Sequence, residues 1–165
     1  MSDIPVVAFS AWSGTGKTTV IEQLIKELKS RGLRVAVVKH DAHQFEIDHE
    51  GKDSWRFAKA GADITILNST EKTALIEQRS LTLAQAMSMI HDVDIILAEG
   101  YQQEALPRIG ICRKATGKGF RLPLSEYIAV ITDEDPSSLP PSLPVFSFTD
   151  IVPLADFILA RDSSC

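Results

Sequence analysis

Gly14, Gly16, Lys17 and Thr18 stand in the run Ala11-Trp12-Ser13-Gly14-Thr15-Gly16-Lys17-Thr18. That spacing suits one kind of chemistry, the holding of phosphate groups. The glycines let the chain turn sharply enough for several backbone N–H groups to point at one spot. The N-terminus of a following helix adds its dipole to the attraction. Lys17 is spaced to reach the β- and γ-phosphates of a nucleotide, and the Thr18 hydroxyl to bind Mg²⁺. The pattern departs from its usual form at one position, where Ala11 stands in place of glycine. A methyl group fits there if the backbone avoids positive φ.

A Mg²⁺-triphosphate site also needs a carboxylate near the metal. Glu99 is the candidate. It closes the apolar run 94–98, and Gly100 beside it lets the backbone pass close to phosphates. Asp94 stands at the wrong end of that run. A second carboxylate is expected from the polar stretch 41–53, read as a switch segment beside the γ-phosphate. Asp48 is the candidate there, for the metal or for the attacking water, with Asp41 and Asp53 as rivals. His40, His43 and His49 with Glu46 and Glu50 share this region, but their spacing matches no standard zinc-ligand pattern. Arg113, Lys114, Lys118 and Arg121 make a basic, glycine-containing loop over 113–121. Its readings are a second anionic ligand, an acidic partner, or a solvated loop. No arginine finger is expected near the phosphate loop, and no glutamine placed to orient water. Arg113 or Arg121 could supply that charge once a partner or a second subunit orders the basic loop. Strong phosphate-holding groups without them predict tight binding and slow turnover.

These residues require particular elements to carry them. Residues 4–9 form a short apolar run, with Pro5 near its edge, and read as a strand. Residues 18–31 read as a helix, with Val20, Ile21, Leu24, Ile25 and Leu28 at helical spacing and Gly32 as its stop. A strand over 35–38 ends at Lys39 and His40. Ser54 reads as the N-cap of a helix running through Ala60, closed by Gly61. Residues 64–77 read as a β-hairpin, with strands 64–67 and 73–76. A helix over 82–90 comes next, then strands over 94–98, 109–112, 128–131 and 145–148. The last helix starts at Thr149 or Asp150. Strands alternating with helices predict an α/β fold of the P-loop NTPase type: a mostly parallel sheet flanked by helices, with a small β-hairpin added. Ligands gather at the C-terminal ends of such strands. Those ends carry Lys39 and His40 with Asp41, then Glu99 with Gly100, and Thr132 with Asp133.

At 165 residues, 44% of them hydrophobic, the chain is long and apolar enough for one nucleotide-binding domain over 1–165 with a sizeable core. Its net charge of −5 removes any general attraction to nucleic acid. No run is long enough for a membrane span, and no signal-peptide pattern is present. Cys112 and Cys165 form no C-x-x-C pair, so a reduced cytoplasmic protein is expected.

Several local patterns together resemble the molybdopterin-guanine dinucleotide biosynthesis protein B (MobB) family. They are residues 11–19, Lys39-His40 with His43, and Asp48 with Gly51-Lys52-Asp53-Ser54. Ala60-Gly61-Ala62, Glu99-Gly100-Tyr101 and Ala129-Val130-Ile131-Thr132-Asp133 complete them. The resemblance runs over most of the chain and is weakest in 69–92 and 134–148. It implies a GTP-binding accessory to the enzyme that joins GMP to molybdopterin, with slow GTP hydrolysis and a homodimeric state. By the same resemblance Ser13, Gly14, Thr15, Gly16, Lys17, Thr18 and Thr19 would cradle phosphates. Thr18, Glu99 and Asp48 would lie near Mg²⁺, so that Lys17, Asp48 and Glu99 carry any catalysis. Asp133, with Thr132, would take the guanine, although the Asn-Lys-x-Asp motif of ordinary GTPases is missing. Two other classes share the same loop. One is a small-molecule kinase with the 113–121 loop as a lid and His40 or Asp41 as base. The other is a nucleotide-responsive binding module without turnover.

Overall fold

The computed structural model describes residues 4–40, 45 and 47–162, with Asp162 by its backbone alone. In chain order the elements are β1 (Val6–Ala11), α1 (Lys17–Ser30), β2 (Val35–Lys39), α2 (Asp53–Lys59), β3 (Ile64–Asn68), β4 (Thr73–Glu77) and α3 (Leu83–Ser88). They continue with β5 (Ile95–Glu99), β6 (Arg108–Cys112), β7 (Ala129–Thr132), β8 (Val145–Phe146) and α4 (Ile151–Asp162). The chain divides into two compact units. One comprises residues 1–40 with 87–165, the other residues 41–86.

The first unit is built on a six-stranded sheet in the order β2-β5-β1-β6-β7-β8, every neighbouring pair parallel. β1, β5 and β6 lie inside the sheet, and they are the most apolar runs, as central parallel strands must be. One face packs α1 and α4 through Phe9, Val20, Leu24, Leu28, Leu97, Ile111, Leu154 and Ile158, all buried. α1 contributes Val20, Ile21, Leu24 and Leu28, the residues whose 3.6-residue spacing marked the helix. The opposite face carries a smaller cluster around Tyr127, Val130 and Leu139.

Register aligns the chemistry. Glu99 pairs with Phe9 of β1 and with Lys39 of β2, so the ends of β5 and β2 reach the same level. Cys112 pairs with Thr132, which sets the ends of β6 and β7 side by side. β8 stops at Phe146, two residues earlier than the apolar run suggests. The Ser147 N–H donates to the Asp150 carboxylate at 2.7 Å, and this turn replaces the ladder.

The second unit contains α2 and an antiparallel hairpin, β3–β4, paired from Ile64↔Glu77 to Asn68↔Thr73. Its turn is closed by the Ser69 N–H donating to the Lys72 carbonyl, while the Ser69 hydroxyl oxygen accepts from the Glu71 and Lys72 N–H groups. The hairpin and its boundaries were legible in the chain. The cap of α2 was not. Lys52 occupies the cap position without a side-chain bond, and Ser54 is buried in the first turn. Its hydroxyl is instead bonded to Asp48.

Candidate functional site

The turn between β1 and α1 is closed from within. The buried Thr15 hydroxyl donates to the Trp12 carbonyl at 2.9 Å. Gly16, at φ 90°, is the cap of α1 and accepts the Val20 N–H at 3.0 Å. No side chain caps this helix, and no acid occupies its first turn. Its leading N–H groups therefore keep their capacity for an anion, and the helix dipole reinforces it. Ser13, Gly14, Thr18 and Thr19 lie around this point, all of them exposed. Ala11 is the last residue of β1, and its φ is not positive, so its methyl group costs nothing there.

Lys17 and Glu99 meet. The Lys17 ammonium lies 3.0 Å from the Glu99 carboxylate, with both side chains less than one-fifth exposed. Lys39 approaches the same carboxylate at 3.9 Å. The residues on either side of this strand end fix Glu99 in place. The His40 N–H donates to the Glu99 carbonyl at 2.8 Å, carrying the β2–β5 pairing one residue further. Gly100 then turns at φ +88°, where a Cβ would stand 2.8 Å from the His40 carbonyl oxygen. Tyr101 lies against the His40 ring at 5.2 Å. The buried Arg108 donates to the carbonyls of Tyr101 and Glu104 at 2.9 and 2.8 Å. Asp94 is at the opposite end of β5, accepting from the Arg34 N–H at 2.6 Å.

Two arginines of the basic segment lie against the phosphate loop, where no arginine finger was expected without a partner. The Arg113 Nε–H donates to the Thr15 carbonyl at 3.1 Å, and the guanidinium stacks on Phe148 at 3.9 Å from the ring centre. Arg121 reaches the Ala11 carbonyl at 3.5 Å and lies over Trp12. These contacts span 98 and 110 positions, beyond any local pattern. The only local signal was the pile-up of cations in a chain of net negative charge.

The other expected residues sit at the ends of β6 and β7 or in the second unit. Thr132 is buried at the end of β7, and its hydroxyl oxygen accepts the Glu134 N–H at 3.0 Å. Asp133 is exposed, and one carboxylate oxygen accepts the Lys114 N–H at 2.6 Å. Beside them burial, together with a bond to Glu134, pushes the Cys112 thiol up to about 11. It stays protonated near neutrality and is a poor nucleophile. Asp48 belongs to the 41–86 unit. The Ser54 hydroxyl, the His49 N–H and the nearby Lys52 ammonium hold its carboxyl below the usual range, so it is ionised. Asp53 is exposed in the first turn of α2, where it pairs with Arg56 at 3.7 Å. Asp41, His43 and Glu46 lie outside the described residues, as does Cys165.

The chain is similar to proteins of one known family. The family model for molybdopterin guanine dinucleotide synthesis protein B matches residues 6–133. The molybdopterin-guanine dinucleotide biosynthesis adapter protein of Escherichia coli (strain K12) is 34% identical, over 94% of this chain and 92% of that protein. The adapter protein of the same name from Haemophilus influenzae is 37% identical, over 95% and 89% respectively. Among solved structures, Bacillus subtilis MobB superposes with a TM-score of 0.77 at 26% identity, over 95% of this chain and 97% of that one.

Proposed function

The chain belongs to the molybdopterin guanine dinucleotide synthesis protein B family, and from that premise we propose that it is a GTP-binding adapter in the making of molybdopterin guanine dinucleotide, hydrolysing GTP slowly with Mg²⁺. One observation carries the nucleotide part of this reading. An uncapped helix N-terminus, a lysine and a carboxylate converge at the end of the central strand, with Lys17 and Glu99 only 3.0 Å apart. A lysine held beside exposed N–H groups is a phosphate anchor, not a core residue.

In this reading the backbone of residues 13–19 cradles the phosphates and Lys17 neutralises them. Thr18 and Glu99 offer hard oxygen donors, which fit Mg²⁺. Asp48, which the sequence puts forward as a further carboxylate for the metal or for water, is ionised. Bound Mg²⁺ would neutralise charge on the phosphate oxygens. The chain's own part is to hold those oxygens still. Loading such a site exchanges partners: Lys17 turns from Glu99 to phosphate as Glu99 turns to the cation. Thr132 and Asp133 take the guanine, Asp133 through the lone pairs that the Lys114 N–H leaves available. The partner is the enzyme that forms the dinucleotide, or molybdopterin itself.

Steady-state hydrolysis of Mg²⁺-GTP by the isolated protein tests the adapter assignment. We expect turnover well below about one per second, the low end of ordinary enzymes, and no transfer of phosphate to small hydroxyl acceptors. Faster turnover, or acceptor phosphorylation, would establish a hydrolase or a kinase instead.

A further inference from the structure

Strand order gives the candidate site two flanks. β5 lies on one side of β1 and delivers Glu99; β6 lies on the other and delivers Arg113. β7, beyond β6, delivers Thr132 and Asp133. If the γ-phosphate and metal face Glu99 and the base faces Asp133, the stretch of nucleotide between them crosses the end of β6. We infer that Arg113 binds the α-phosphate of the nucleotide; the inference rests on the nucleotide reading above.

The guanidinium is built into place rather than trailing from a loop. Its Nε–H is committed to the Thr15 carbonyl, and its face is stacked on Phe148. An Nη lies 3.3 Å from where a Gly16 side chain would begin, so the group packs directly against the phosphate loop. The backbone that carries it is pinned as well. The Thr116 N–H and hydroxyl both donate to the Arg113 carbonyl, at 3.0 and 2.8 Å, and the Lys114 N–H donates to Asp133. Arginine has five N–H donors in a rigid fork. One is used here, and the four on the η nitrogens find no acceptor among the described residues. Arg113 forms no ion pair with any described carboxylate. A half-buried, oriented guanidinium with unused donors at a helix N-terminus is a receptor for phosphate oxygens. Its flank separates it from an arginine finger, which would have to reach the γ-phosphate on the Glu99 side. The short contact also gives Gly16 a second reason to be glycine, since a Cβ there would press on the guanidinium.

The test is competition binding, with Mg²⁺, of GTP, GDP and the two diastereomers of guanosine 5′-(α-thio)triphosphate, on the full chain and its Arg113→Gln and Arg113→Lys variants. Arg113→Gln is expected to weaken GTP and GDP by the same factor, about tenfold or more, and to abolish the preference between the diastereomers. Arg113→Lys keeps the charge and the stem on Phe148; it should lose less affinity but also lose the preference. It carries the test if Arg113→Gln does not fold. A loss confined to GTP, a preference retained in a folded variant, or no loss at all would overturn the inference while leaving the nucleotide reading intact. Failure of the unsubstituted chain to bind any of the four would overturn both.

Discussion

Glu99 has two roles, partner of Lys17 in the structure and donor to a cation in the proposed function. Its carboxylate therefore acts in opposite directions with and without metal. Glu99→Gln releases Lys17 from a 3.0 Å ion pair, so metal-free GTP binding should be unchanged or tighter. The extra affinity conferred by Mg²⁺ should fall by about tenfold or more, the worth of a charge-assisted contact. Titrations with Mg²⁺ and with a chelator give the ratio directly. An unchanged ratio would move the metal carboxylate to Asp48 or one of its rivals. Lys39 reaches the same carboxylate at 3.9 Å but is more than half exposed, so screening by solvent leaves its contribution minor.

At the scale of elements, the site depends on how β5 ends. Gly100 lets the chain leave the sheet at once, with the His40 carbonyl filling the space a side chain would need. Gly100→Ala puts a Cβ at a positive φ and within 2.8 Å of that oxygen. Destabilisation of about 1–3 kcal/mol is expected in denaturant melts, together with weaker Mg²⁺ dependence as Glu99 shifts. A variant as stable as the parent would show that the turn relaxes freely. Much of this architecture was legible in the chain. β1, α1 and β5 announce themselves through uninterrupted or 3.6-periodic apolar residues, and the phosphate loop is contiguous. The Ser54 cap was misread because Asp48, upstream of the helix, competes for the same hydroxyl. Arg113 escaped notice as a neighbour of Thr15 because strand order, not spacing, joins them. Sheet order for six parallel strands is a tertiary result that no window of sequence contains.

At the scale of the whole molecule, the β3–β4 hairpin leaves apolar surface uncovered. Ile64, Ile66 and Leu75 share one face by register and are each about half exposed or more. A two-stranded ribbon with such a face is marginal on its own and is expected to find cover. Homodimerisation through this face is the expectation, in line with the resemblance drawn from the sequence. Light scattering at micromolar concentration should give twice the chain mass, and Ile66→Glu should give a monomer that still binds GTP. A monomeric parent would refute this. No described helix is long and apolar enough to cross a membrane.

On the proposed function, the end of β1 and its flanks bind a guanine nucleotide. Calorimetric titration of the full chain with Mg²⁺-GTP, set against Mg²⁺-ATP and Mg²⁺-xanthosine triphosphate, tests it most directly. One saturable site per chain is expected, with GTP bound at least about tenfold more tightly than either competitor, the worth of one pair of unmatched polar groups. Binding abolished by Lys17→Ala in a folded chain would belong to the same result. An ATP preference, or no saturable binding of any triphosphate, would contradict it.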